Sequence, residues 1–154
     1  MHVAFTILIA VQILVVATHD LVEIPGLAHT SQMRAVLGRR RLWLATAVNS
    51  IFPGIALGFA VYFWNRPRPL FVNRYWLIYC GVTVASAIGM WYLPYFRGAN
   101  EKMKDEYRRF YAGTRQVLPA RGDNPRPNLL HVVFHVLFLA TLVLAVLLNT
   151  RPGW

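Results

Sequence analysis

Four long apolar runs, separated by short polar segments, dominate this sequence of 154 residues. Two of them, Leu42–Trp64 and Tyr75–Phe96, contain no charged residue, and a further run, Leu129–Asn149, contains only two histidines. Each run has about 21 to 23 residues, which at a helical rise of about 1.5 Å covers the roughly 30 Å hydrocarbon core of a bilayer. No run alternates with a period of two, so the pattern predicts helices rather than barrel strands. The predicted transmembrane helices cover residues 3–24, 42–64, 75–96 and 129–149.

Composition supports a membrane protein. Hydrophobic residues make up 56% of the chain and charged residues only 14%, whereas a soluble domain carries roughly a quarter charged residues. The first run has no preceding Lys or Arg and no small-residue cleavage site, so we expect it to remain in the mature protein. The expected fold is an all-α integral membrane protein, a four-transmembrane-helix bundle forming one membrane domain over residues 1–154.

The third loop, residues 97–128, is the only sizeable polar segment. Within it, residues 100–113 predict an amphipathic helix, with Asn100 as the N-cap and Gly113 at the end. The apolar positions of this helix form one stripe, which suits a helix lying on the membrane surface. That stripe consists of Met103, Tyr107, Phe110 and Tyr111.

The basic residues predict the orientation of the bundle. Loops one and three carry four and eight basic residues, whereas loop two carries three and the C-terminal tail one. Basic loops stay in the cytoplasm, so we expect loops one and three inside and both termini outside, in a bacterial cytoplasmic membrane. The formal net charge of +10 then faces anionic membrane lipids, which are the expected partners. These residues flank apolar runs and form no separate basic domain, which argues against nucleic-acid binding.

Ionisable residues inside the runs collect near one end of the first and the fourth. They are His19, Asp20, Glu23, His131 and His135. The predicted topology places all five at a similar depth on the cytoplasmic side. His19 and Glu23 are four residues apart, as are His131 and His135, so each pair is expected to share a helix face. Charge inside a membrane is costly, and such residues mark functional sites.

Two cofactor chemistries fit this group. His19, Glu23, His131 and His135 offer three nitrogens and a carboxylate from two facing helices, which suits a divalent metal such as zinc or iron. Haem needs one axial histidine from each of two helices, and His19 with His135 would supply them.

Asp20, Asn49 and Tyr92 are the candidate catalytic side chains beside these ligands. Asp20 follows His19 directly and could act as a base or support a ligand. Asn49 lies in the half of the second run that is predicted to be cytoplasmic, and Tyr92 lies near the end of the third. A simpler interpretation is that Asp20 and Glu23 only terminate the first helix or pair with loop arginines.

Three functions remain open. The leading hypothesis is a metal- or haem-centred membrane enzyme acting on a lipid-soluble substrate such as a quinone, a sterol-like molecule or a lipid. The first alternative is a non-catalytic accessory or assembly subunit of a larger membrane complex, in which polar residues only join helices or contact partner membrane subunits. The possible protein partners are such subunits or further copies of the chain in a homo-oligomer. The second is a small proton-coupled transporter that uses His19, Asp20 and Glu23. The chain carries no phosphate-binding glycine loop, hydrolase elbow or zinc-protease motif.

Overall fold

The computed structural model describes residues 1–150 of the chain. Over these residues the protein is helical, with two isolated β-bridges in the loops. Four of the helical segments are long and apolar enough to cross a membrane. In chain order the elements are α1 (His2–Leu21), α2 (Thr30–Leu37), α3 (Arg39–Tyr62), α4 (Leu70–Ala87), a π-helical turn (Ile88–Tyr92), α5 (Leu93–Arg97), α6 (Glu101–Phe110) and α7 (Leu129–Thr150).

The four predicted apolar helices are confirmed, with shifted ends. α1 ends at Leu21, three residues before the predicted boundary at residue 24. α3 begins at Arg39 rather than at residue 42. Arginine side chains have long apolar stems, so Arg39, Arg40 and Arg41 can extend an apolar helix while their guanidinium groups reach into water. α4 begins at Leu70, directly after Pro69, which has no N–H and an extended backbone. The short helix α2 in loop one was not predicted.

The long helices form a four-membered bundle. α1 contacts α3 and α7, and α4 contacts the same two helices, so α1 and α4 lie on one diagonal. An apolar core fills the half of the bundle nearest the start of α1, where three fully buried alanines let the helices approach closely. We call this half the core end and the opposite half, with His19 and His131, the histidine end. The core residues are Phe5, Ile9, Ala56, Ala60, Val72, Trp76, Cys80, Ala145 and Leu148.

The third span changes its helical geometry at the histidine end. The π-helical turn Ile88–Tyr92 is followed by Pro94, which lacks an N–H for the carbonyl of Met90 and whose ring crowds that carbonyl. Within residues 1–150, no Cα atom of the π turn or of α5 comes within 8 Å of a Cα atom of α3. The third span therefore separates from α3 at this end of the bundle.

Loops one and three join to cover the histidine end. The Arg115 N–H donates to the Gly26 carbonyl at 2.6 Å, and the Asn128 side chain donates to the Leu27 carbonyl at 3.1 Å. Gly113 lies close to His29, since a Cβ on this glycine would be 3.3 Å from Nε2 of His29. These contacts join the two loops over the histidine end of the bundle.

The predicted helix of loop three is present as α6 but is shorter than expected. The Asn100 side chain accepts the Met103 N–H at 2.9 Å, as an N-cap should, and the helix ends at Phe110 rather than at Gly113. Tyr107 in the predicted apolar stripe is buried against the protein, and its hydroxyl lies 3.4 Å from Nε of Arg126. Part of the stripe therefore packs internally, and the position of α6 on a membrane surface stays a prediction.

Candidate functional site

A cavity of about 550 Å³ lies among the four long helices toward the histidine end. Its walls are mostly apolar, and its strongest polar groups come from the residues that the sequence singled out. His19, Asp20, Asn49, His131 and His135 all line it. A single concave space with a few convergent polar groups is the usual form of a small-molecule site.

His19 is held by the residue that follows it. Nδ1 of His19 lies 2.8 Å from Oδ1 of Asp20, and Oδ2 of Asp20 accepts a hydrogen bond from the Thr46 hydroxyl at 2.9 Å. Asp20 is only 8% exposed. An ionised carboxylate can only accept, so the contact fixes the proton of His19 on Nδ1 and leaves Nε2 for a ligand.

His131 is held in the same way by Asn128. Oδ1 of Asn128 lies 2.7 Å from Nδ1 of His131 and also accepts the backbone N–H of His131 at 3.0 Å. The amide orientation is set by its NH₂ group, which donates to the Leu27 carbonyl and, at 2.9 Å, to the Thr114 hydroxyl. His131 therefore also carries its proton on Nδ1, and Nε2 is left for a ligand.

The two anchored rings contact each other. The centroids of His19 and His131 are 4.9 Å apart, with an edge-to-face angle of 87°. Trp91 lies 4.2 Å from His131 between centroids, and Tyr111 lies 5.2 Å from the same ring. Burial, together with the charge of Asp20, raises the pKa of Tyr111 to about 12, so its hydroxyl stays neutral. These rings close the site on the side of the loops.

His135 belongs to the same group but has a different partner. Its Nδ1 atom lies 3.2 Å from the Tyr92 hydroxyl, and its ring centroid is 6.2 Å from that of His131. The π turn allows Trp91 and Tyr92 to contact His131 and His135 respectively, although the two aromatic residues are adjacent in sequence. Such turns occur often at functional sites.

Glu23 lies apart from the histidines. Its carboxylate accepts the Ser31 N–H at 2.7 Å and the Thr30 hydroxyl at 3.0 Å, at the first turn of α2. The pKa of Glu23 is lowered, chiefly by the Ser31 N–H. Because α1 ends at Leu21, the expected helical relation between His19 and Glu23 does not exist.

The four-ligand metal centre is therefore not assembled in this structure. Within residues 1–150, no group of three or more His, Cys, Asp or Glu side chains is placed to hold a metal ion. Zinc, iron or haem at these histidines remains a prediction from the sequence. Elemental analysis and an absorption spectrum of the purified protein, compared with those of His135→Ala, would test it.

Sequence reasoning missed three residues of the site: Trp91, Tyr111 and Asn128. For Asn128 a signal existed, since it precedes the fourth apolar run and Asn is a preferred N-cap residue whose side chain reaches the N–H three positions on. Trp91 lies near the end of the third apolar run, where an aromatic residue is typical of a membrane interface, and Tyr111 belongs to the stripe of the predicted surface helix. Their contacts with His131 depend on the π turn and on the joined loops, which no local pattern indicates.

Comparison with known protein families, with curated proteins and with solved structures finds no match. The class of this protein is therefore defined by its own fold and site. It is an all-helical chain with four candidate membrane spans, and three histidines line a largely apolar cavity among them.

Proposed function

We propose that this chain is an integral membrane protein that binds a lipid-soluble molecule in the cavity, exchanges a proton with it through His19 and orients it through His131. The observation that carries the proposal is the pair of imidazoles 4.9 Å apart, each with Nδ1 on a side-chain oxygen. A histidine with a purely structural role needs hydrogen-bond partners only for its own ring and no second imidazole beside it. Two rings anchored in this way at one cavity wall match the requirements of general acid–base chemistry.

The way into the cavity supports a lipid-soluble ligand. Phe52 of α3 and Ile78, Val82 and Met90 of the third span line the cavity and are also among the most exposed apolar residues, at 59% to 65% exposure. Met90 belongs to the π turn, which is the part of the third span that separates from α3. In a bilayer this side would face lipid, so an apolar molecule could enter sideways without crossing water. The cavity volume falls within the range of roughly 300–1,000 Å³ found for small-molecule sites.

The chemistry follows from the anchored imidazoles. Nε2 of His19 can take a proton from a ligand hydroxyl, and the Asp20 carboxylate stabilises the imidazolium that forms. His131, with an uncharged amide on Nδ1, is better suited to accept a hydrogen bond at Nε2 and orient the ligand. Asn49 supplies a further polar group on the cavity wall. A phenol or a quinol has the required acidic hydroxyl on an apolar body.

The proposal is tested by ligand binding in lipid nanodiscs, with a short-chain benzoquinol as the probe and tryptophan fluorescence as the signal. We expect saturable binding that Ser86→Phe abolishes, because Ser86 lines the cavity. Ala85→Phe is the matched control, since Ala85 is also exposed but does not line the cavity. His19→Gln should weaken binding by about tenfold, the equivalent of about 1.4 kcal/mol.

Equal binding by Ser86→Phe and Ala85→Phe would overturn the cavity as the site. Binding that is unaffected by His19→Gln and His131→Gln would remove the role of the imidazoles. Absence of saturable binding to the unaltered protein would instead favour polar groups that only join helices, as in an accessory subunit.

A further inference from the structure

A second, smaller pocket lies beside the cavity, on the side of loop one. Its volume is about 170 Å³, and unlike the cavity it is mainly polar. Arg34 and Arg39 at its mouth are exposed, so the pocket is continuous with the protein surface beyond the end of α1. Its walls are formed by Asp20, Leu21, Arg34, Arg39, Leu42 and Trp43.

Asp20 alone, within residues 1–150, lines both spaces. One carboxylate oxygen contacts Nδ1 of His19 and the other contacts the Thr46 hydroxyl. Although two arginines line the small pocket, neither forms an ion pair with Asp20; within the described residues its ion-pair partner is His19. The carboxylate therefore separates a polar space from an apolar one and is not held permanently by a cation.

We propose that the small pocket is the aqueous proton path of the cavity and that Asp20 passes protons between its water and His19. This inference rests on the proposed function. After Nε2 of His19 has taken a proton from a ligand hydroxyl, the imidazolium gives its Nδ1 proton to Oδ1 of Asp20. The carboxyl group then gives that proton to water in the small pocket. One proton moves from ligand to water, the ligand remains as its anion, and no electrons are transferred. His19 is left with its proton on Nε2, and a flip of the ring returns that proton to the side of Asp20 before the next transfer.

The charged and titratable groups around Asp20 are consistent with this route. His19 lies on the cavity side, and Arg34 and Arg39 lie on the pocket side. Tyr111 lies above the site as a neutral hydroxyl. Nδ1 of His19 lies 2.8 Å from the Asp20 carboxylate and the Thr46 hydroxyl lies 2.9 Å from it, and both distances are short enough for proton transfer.

The test is chemical labelling of Asp20 in nanodiscs by two carbodiimides, followed by mass spectrometry of the peptide. A water-soluble carbodiimide should reach Asp20 through the small pocket, and a hydrophobic one through the lipid-facing cavity. Arg39→Trp should obstruct the pocket and remove labelling by the water-soluble reagent while labelling by the hydrophobic reagent persists. Arg40→Trp is the matched control, because Arg40 is exposed, adjacent in sequence and outside the pocket.

A second variant, Arg34→Trp, repeats the obstruction from α2 in case Arg39→Trp disturbs the start of α3. The proposal is overturned if the water-soluble reagent leaves Asp20 of the unaltered protein unlabelled, or labels both obstructed variants as well as the control. Benzoquinol binding, measured on the same samples, distinguishes a failure of the proton path from a failure of the proposed function. Intact binding with an unlabelled Asp20 would remove the proton path and leave the proposed function standing.

Discussion

The Nδ1 atom of His19 lies 2.8 Å from Oδ1 of Asp20, its immediate neighbour in the chain. Consecutive side chains on a helix point about 100° apart and seldom meet. Here the contact occurs in the last turn of α1, which ends at Leu21. The third participant, Thr46, comes from α3, so the pair also joins the first two spans.

The first prediction concerns the proton on His19. Because the Asp20 carboxylate holds the ring with its proton on Nδ1, Asp20→Ala should give a mixture of the two neutral tautomers. Nitrogen-15 NMR of the imidazoles, in protein labelled at histidine, measures the tautomer directly. Asp105→Ala, which removes an exposed carboxylate on α6, should leave the His19 signals unchanged. An unchanged tautomer in Asp20→Ala would show that another group holds the ring.

The second prediction concerns Asn128. Its side chain is 1% exposed and serves the His131 ring, the His131 N–H, the Leu27 carbonyl and the Thr114 hydroxyl. Asn128→Ala removes the partner of the buried His131 ring nitrogen, whereas the Thr114 hydroxyl keeps its bond to the Tyr111 carbonyl. We therefore expect a loss of about 1–3 kcal/mol in the free energy of unfolding. Thermal unfolding in detergent micelles measures it, with the exposed Asn65→Ala as control. Equal stability of the two variants would contradict the assigned network.

The third prediction concerns the middle of the bundle. Gln12 donates to the Thr141 hydroxyl at 2.5 Å and accepts from the Tyr79 hydroxyl at 2.8 Å, joining α1, α7 and α4. Hydrogen bonds between membrane helices contribute only about 0.6–2 kcal/mol each. Gln12→Leu keeps the volume and should therefore destabilise the bundle by a similar, modest amount. The same substitution at the exposed Gln32 provides the baseline; a loss above about 4 kcal/mol would indicate a larger role than this network gives.

The spans were predictable because each is a long apolar run, and in a bilayer such a run has few alternatives to a helix. The polar side chains at one end of the first and fourth runs were predictable for a related reason. Charge within apolar helices needs partners, so His19, Asp20 and His131 were expected to converge, and all three line one cavity.

The failure with Glu23 shows the limit of this reasoning. Spacing of four residues implies a shared face only while the helix continues, and α1 ends two residues before Glu23. The backbone becomes extended at Val22, ahead of Pro25, and the Glu23 carboxylate binds the first turn of α2 instead. α2 is short and weakly apolar, so no apolar periodicity in the sequence indicates it. The same holds for the loop contacts that place Tyr111 on His131, which join residues far apart in the sequence.

The fourth prediction concerns Glu23 and pH. The pKa of Glu23 in the folded protein is below its ordinary value of 4.5, mainly because of the Ser31 N–H. The stabilisation from this carboxylate is therefore present above the unfolded pKa and is lost as the pH falls through the folded value. Melting temperatures of the unaltered protein and of Glu23→Gln should differ near neutral pH and converge in acid, as the pH falls below the unfolded and then the folded pKa of Glu23. A difference that is constant over this range would exclude the carboxylate charge as its source.

The fifth prediction concerns orientation, which the structure leaves to the charge pattern. Loops one and three together hold most of the basic residues, so we expect both inside the cell and both termini outside. Single cysteines at Ser31 and Ala112, introduced in a Cys80→Ser background, probe these two loops at exposed positions. Both should be shielded from a membrane-impermeant thiol reagent in intact cells and should react after the membrane is opened. A cysteine at the exposed Asn65 in loop two is the matched control and should react in intact cells.

Reaction at Ser31 and Ala112 together with protection at Asn65 would show that the bundle has the opposite orientation in the membrane. The small pocket beside Asp20 would then open outside the cell, and the proton path would lead there rather than to the cytoplasm.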